Sequence, residues 1–236
     1  MPNKTSRTRL DRFLRKKLGT KKNDVKQLIA QKRVLINGSH AQDASQPVDH
    51  FSLIEVDNQI VQNNQAFYVM INKPKGVVSA TIDDRHQTAI DLIDYSFKAE
   101  LHIVGRLDLN STGLLLLTND STWSRRLSLP EKKVTKRYRV TVEKPIDALC
   151  IEAFSKGIYF PFEDITTKPV ELQHISPCCA ILSLSEGRYH QIKRMFGRFR
   201  NPVLELHRLS IGNLSLDNQL SLGESRLLTS NEISDI

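Results

Sequence analysis

An α+β architecture is predicted for this chain: a small basic helical module, then a larger mixed domain built on a largely antiparallel sheet. Three observations carry that prediction. Strand-like stretches outnumber helical ones. Few strand pairs are joined by the roughly 10 to 15-residue helical crossovers of a doubly wound sheet. The positive charge gathers at one end, where residues 1–36 hold twelve Lys or Arg against Asp11 and Asp24 while the remaining 200 residues are close to neutral. A chain of 236 residues has room for one small and one medium domain, and the boundary is expected at 1–60 and 61–236.

Leu10, Phe13, Leu14 and Leu18 share one face of a first helix, which Gly19 ends. Val25, Leu28 and Ile29 repeat that spacing in a second helix from about Asn23, with Asn23 or Asp24 as its cap. Val34-Leu35-Ile36 then reads as a strand running into Asn37-Gly38, a two-residue hairpin signal, and Phe51 to Val56 supplies another strand. The polar stretch Asp57 to Gln65 reads as a linker.

From Phe67 the strand FYVMINKP opens the second part. Strands are expected at His102–Val104, Leu114–Leu117, Tyr138–Val142, Ala180–Leu184 and, as one or two, Val203–Leu216. Helices are expected at Ser121–Leu127, Ile146–Lys156 before Gly157, and Tyr189–Phe199.

The function classes narrow quickly. No stretch approaches the roughly 20 apolar residues of a membrane span, and the basic start lacks a signal peptide's apolar core, so a cytoplasmic protein is expected. Cys150, Cys178 and Cys179 have no zinc-ligand spacing and read as reduced, buried thiols. The motifs of phosphate loops, dinucleotide folds, zinc peptidases and esterases are missing, so neither metal nor cofactor is expected. A dense cationic end with few acids suits phosphate binding through counterion release.

In GRLDLNSTGLLLLTND, residues 105–120, Asp108 lies between two strands. Spacing alone leaves two readings open: a turn-forming carboxylate that accepts local N–H bonds, or a reacting group displayed at a strand end. Tyr138 is likewise either a half-buried strand residue or an exposed ring for stacking.

Two resemblances bear on this choice. RLDRFLRKKLG and VKQLIAQKRVLINGS, within residues 7–55, resemble the S4 domain, a helical RNA-binding module. GRLDLNSTGLLLLTND resembles the motif of the RsuA group of pseudouridine synthases. Asn72-Lys73-Pro74-Lys75-Gly76, Lys136-Arg137-Tyr138 and SEGRYHQIKRMF, residues 185–196, match in order, and LELHRLSIGNLSL extends the likeness towards the C-terminus.

The resemblance implies a pseudouridine synthase catalytic domain behind an S4 domain. Asp108 would be the catalytic residue, Lys193 its basic partner, Tyr138 the ring under the extruded base and Ile192 a wall of the pocket. Arg106 would fill the space the base vacates or hold a phosphate. Arg9, Arg12, Arg15, Lys16, Lys26, Lys32 and Arg33 in the basic module would bind RNA. So would Lys136, Arg188 and Arg194, with Lys132, Lys133, Arg137, Arg139, Arg198 and Arg200 adding phosphate contacts. The histidine in Arg188-Tyr189-His190-Gln191 resembles the small-subunit enzymes, so the expected partner is 16S ribosomal RNA, acted on by a monomer. A large-subunit RNA enzyme, an inactive RNA-binding protein, and a glycoside hydrolase built on Asp108 and Glu186 are the alternatives.

Overall fold

The computed structural model describes residues 7–129 and 134–236. Lys132, Lys133 and the basic start Met1 to Ser6 lie outside the described residues. The chain divides into two compact units that meet between Ala66 and Phe67.

The first unit runs β1 (Thr8–Arg9), α1 (Leu10–Leu18), α2 (Lys22–Ala30), β2 (Val34–Ile36), β3 (Ser39–His40), β4 (Pro47–Val48), β5 (Ile54–Val56) and β6 (Gln59–Gln62). Leu10 and Leu14 of α1 and Val25 and Ile29 of α2 are buried with Val34, Ile36, Ile54 and Val56 of the sheet. The helix periodicity read from the sequence is therefore the core-facing stripe. Gly19 closes α1 in the left-handed conformation, its N–H donating to the Arg15 carbonyl. Asn37 and Gly38, at φ of 49° and 78°, turn β2 into β3, as a two-residue hairpin with the strands' own twist requires.

Two expectations for this unit are corrected. Asp24 sits three positions inside α2 rather than at its cap, and its Oδ2 accepts the Lys21 N–H at 2.9 Å. Part of the expected linker is a strand: Asp57 and Asn58 both take positive φ, and Gln59–Gln62 fold back on β5. The first unit thus extends past residue 60, the expected boundary, to residue 66.

The second unit runs β7 (Tyr68–Lys73), β8 (His102–Val104), β9 (Thr112–Thr118), α3 (Ser121–Ser128), β10 (Lys136–Val142), α4 (Ala148–Lys156), β11 (Tyr159–Phe160) and β12 (Ile165–Thr166). It continues through β13 (Glu171–Ser176), β14 (Cys179–Leu184), α5 (Gln191–Gly197), β15 (Val203–Ile211), β16 (Leu214–Ser215), β17 (Ser225–Leu227) and α6 (Ser230–Ser234). The main sheet has the order β13-β14-β10-β15-β9-β7-β17, with β8 on β9 and β16 on β15. Among the described residues its strands pair antiparallel except β9 with β15, which meet in parallel at Thr112–His207 and Gly113–Arg208. The expected α+β class with a largely antiparallel sheet holds.

That parallel seam joins two cores. On one side Val140, Leu182, Leu184 and Leu206 pack under Phe154 of α4 and Ile192, Met195 and Phe196 of α5. On the other, β9 is buried on both faces. Leu115 and Leu117 join Val69, Ile71 and Leu107, while Leu114 and Leu116 join Met70, Trp123 and Ile211. The unbroken apolar run GLLLL is what a strand covered on both faces needs. Asp120 caps α3 and Asp147 caps α4 through backbone N–H groups.

The helix expected over Tyr189–Phe199 is shorter, Gln191–Gly197, because His190 takes φ of 48° before it. Of the three thiols, only Cys150 is fully buried, and burial pushes it up to about 12; Cys178 and Cys179 are half-buried rather than buried.

Candidate active site

The loop between β8 and β9 carries Asp108, and an uncommon density of buried polar contacts holds it. Lys73, at the end of β7, is fully buried. Its ammonium donates to the carbonyls of Pro74 at 2.9 Å, Ser111 at 2.8 Å and Leu109 at 3.4 Å. A buried charge is tolerable only when so bonded, and desolvation still pulls Lys73 down to about 8, against the opposing pull of the Asp108 carboxylate. Ser79 grips the loop from the same side. Its hydroxyl donates to the Leu107 carbonyl at 2.8 Å and accepts the Leu107 N–H at 3.0 Å. The Gly76 N–H donates to the Leu109 carbonyl. The segment from Asn72 to Ser79 is thus a cradle for the loop, and a turn bond from the Ser111 N–H to the Asp108 carbonyl completes it.

Arg208 of β15 secures the opposite flank. It is 1% exposed, and its guanidinium donates to the carbonyls of Leu114 at 2.6 Å and Arg106 at 3.2 Å and to the Tyr138 hydroxyl at 3.4 Å. The β10–β15 register shifts between Arg137 and Tyr138. Such a bulge re-aims a side chain, and here Tyr138 borders the cleft.

The Asp108 carboxylate itself faces two basic groups delivered by the start of α5. Lys193 Nζ stands 3.2 Å from Oδ2, and His190 Nε2 stands 3.3 Å from Oδ1. All three side chains are about one-third exposed, which leaves the carboxylate reachable from solvent.

The turn before α5 is fixed by Glu186. Its carboxylate accepts from the Lys168 N–H, the Gln191 amide and the Arg188 guanidinium at 2.9, 2.7 and 3.2 Å. So occupied, and 8% exposed, Glu186 is not a free second carboxylate.

Asp108, Arg106, Tyr138, Ile192, Lys193 and His190 line one small open cleft of about 80 Å³. The second-unit residues expected there are therefore brought together. Ile192 serves both the cleft and the core, at 4% exposure. Among the described residues there is no His, Cys, Asp or Glu cluster suited to a metal, and no helix is long and apolar enough to cross a membrane.

The expected RNA-contact residues separate by environment. Arg12, Arg15, Lys16, Lys26 and Lys32 are exposed on the first unit. Arg9 is paired with Asp11, and Arg33 donates from Nε and Nη2 to the two carboxylate oxygens of Asp57. Arg188 is exposed and paired with Glu186. Lys136 is half-buried, donates to the Val134 carbonyl and is held below its usual range by burial and by Arg208. Arg194 is drawn inward, paired with Glu163 and lying 3.9 Å over the Phe160 ring. Reading the sequence did not single out Lys73, Ser79 or Arg208, although the first and third lie in matched motifs, nor did it give His190 a place beside Asp108.

Comparison with known proteins identifies the family. Residues 67–197 match the family model of RNA pseudouridylate synthase, and residues 8–54 match that of the S4 domain. Ribosomal small subunit pseudouridine synthase A of Pseudomonas aeruginosa is 47% identical over 97% of this chain and 100% of its own length. The protein of the same name from Escherichia coli K12 is 38% identical, covering 97% and 99%. A solved pseudouridylate synthase superposes with a TM-score of 0.70 at 36% identity, over 97% of this chain and 99% of its own. With the family model spanning more than half of the sequence and near full-length relatives on both counts, the chain belongs to the RNA pseudouridylate synthase family and carries an S4 domain ahead of its catalytic domain.

Proposed function

We propose that the protein, acting as a cytoplasmic monomer, isomerises one uridine of 16S ribosomal RNA to pseudouridine, with Asp108 as the reacting group. Membership of the family makes it an enzyme acting on uridine in RNA. The small-subunit substrate is supported by the relatives' names and by the His190-containing turn. The observation that carries the site assignment is the Asp108 carboxylate, reachable in an open cleft and faced by a basic group at each oxygen.

The chemistry suits that equipment. The N1–C1′ bond breaks, the uracil turns, and a C5–C1′ bond forms, so product and substrate are isomers and no redox partner or energy source enters the balance. Asp108 acts at the sugar, as a nucleophile or as a base. Lys193 stands against it as a counter-charge at 3.2 Å. The target base must leave the RNA stack, which costs a few kcal/mol; stacking on the Tyr138 ring returns about 1–3 kcal/mol. Arg106, exposed at the cleft mouth, contacts the phosphates or fills the vacated space.

Because C5 exchanges its hydrogen for a carbon bond, turnover releases the C5 label of [5-³H]uridine RNA to water. The protein is expected to release tritium from a 16S transcript, or from a partly assembled small subunit, and not from 23S RNA. Release from 23S alone would make it a large-subunit enzyme, and binding without release an RNA-binding protein.

The first unit supplies sequence-independent affinity. Substituting Arg12, Arg15 and Lys16 together by Gln is expected to weaken RNA binding at low salt and to reduce the slope of log affinity against log salt by about 2. An unchanged slope in a salt titration would remove this face from the RNA footprint.

A further inference from the structure

The isomerisation leaves one proton to be moved. Once C5 has bonded to C1′, C5 still carries its hydrogen and N1 carries none; product forms when the C5–H bond breaks and an N1–H bond is made. A group that accepts the first proton and supplies the second balances the step without any other reactant. It must stand near C1′, because N1 and C5 each bond to that carbon in turn, and C1′ lies against Asp108.

The other polar groups of the cleft are poor candidates for this task. The Lys193 ammonium and the guanidiniums of Arg106 and Arg188 have no acceptor. Glu186 is occupied by three donors. The Tyr138 hydroxyl accepts from Arg208, and a phenol is a weak base at neutral pH. Asp108 is engaged with the sugar until the C5–C1′ bond exists.

His190 differs from all of them. Imidazole is the side chain that ordinarily gains and loses a proton near neutrality. Its Nε2 is 3.3 Å from Asp108 Oδ1, loose enough to let a substrate in and of the kind that tightens on binding. The ring is held from behind by Tyr189, stacked at 3.9 Å and 18°. The backbone places it at φ of 48°, a conformation uncommon for a non-glycine residue and of the sort kept at functional sites.

We propose that His190 is a second catalytic residue, which takes the proton from C5 of the rejoined base and delivers it to N1. Neutral His190 breaks the C5–H bond and becomes imidazolium. Asp108, freed as a carboxylate when C5 captures C1′, stabilises that charge. The imidazolium then protonates N1, and both residues return to their starting states. Lys193 occupies the other oxygen of Asp108 at 3.2 Å. This inference rests on the assignment of the cleft to uridine isomerisation.

The test is single-turnover conversion of RNA carrying C5–H or C5–²H uridine. His190→Gly suits the left-handed backbone and leaves room for imidazole; His190→Asn tolerates the same φ and keeps a polar side chain. Both are expected to bind RNA as the wild type does and to turn over about 10²-fold more slowly. A C5-deuterium isotope effect absent from the wild type should appear in both, and added imidazole should accelerate His190→Gly. A rate within about threefold of wild type, or a slow variant with neither isotope effect nor imidazole rescue, would overturn the proposal. Absence of any turnover by the wild type would instead overturn the assignment of the cleft.

Discussion

Asp108→Asn is expected to bind the substrate RNA at least as tightly as the wild type while forming pseudouridine at least about 10³-fold more slowly, a loss of about 4 kcal/mol in transition-state stabilisation. The amide has the size of the carboxylate, so the loop held by Lys73, Ser79 and Arg208 keeps its shape. What disappears is the negative charge. Asparagine neither attacks C1′ nor accepts a proton from the sugar, and it leaves Lys193 without its counter-charge and His190 without its carboxylate partner. Removing an anion from an RNA-facing cleft does not weaken phosphate contacts. Equilibrium binding and single-turnover rates measured on the same protein separate the two effects. Parallel losses in affinity and rate would assign Asp108 to folding or binding instead.

Gly113→Ala has the largest expected effect on stability. Gly113 adopts φ of 102° where β9 meets β15, and a Cβ there would lie 2.7 Å from the Arg208 backbone nitrogen and closer still to its carbonyl oxygen. Neither contact involves a flexible side chain, so the strands must separate. Backbone strain of about 1–3 kcal/mol adds to a similar overpacking cost. At roughly 2–4 °C per kcal/mol for a domain of this size, thermal unfolding is expected to fall by about 10 °C. Activity should fall with it, because Arg208 reaches the Leu114 and Arg106 carbonyls across this seam. A melting temperature within about 2 °C of wild type would show that the close approach is not required.

The parts of the fold that the sequence revealed are those with one-dimensional signals. The helix stripes Leu10-Leu14 and Val25-Ile29, the two-residue turn Asn37-Gly38 and the doubly buried run Leu114–Leu117 each follow from local spacing. The strand Gln59–Gln62 was hidden because it lies in a polar stretch and is half or fully exposed at a sheet edge, Ile60 and Val61 included. Its turn, Asp57-Asn58, reaches the left-handed region without glycine. Glu171–Ser176 was hidden for the same reason, being almost wholly exposed.

In the site, Asp108 stood out because it lies in a matched motif between two strands. Lys73 and Arg208 did not, since they act on backbone carbonyls, which are the same whatever residue supplies them. Their function depends on burial, and burial of a charged side chain is a property of the folded sheet that no spacing rule anticipates. Arg33 and Arg194 illustrate the converse. Each reads as a free cation in sequence, yet each finds a distant acid, Asp57 or Glu163, once the chain has folded.

The central claim, that this cleft isomerises a uridine of small-subunit RNA through Asp108, is met most directly by mapping. Unmodified 16S RNA, free or in a partly assembled subunit, is incubated with the protein, treated with carbodiimide and read by primer extension. The account predicts one new stop with the wild type and none with Asp108→Asn. No stop with the wild type, stops scattered over many uridines, or the same stop with Asp108→Asn would contradict it.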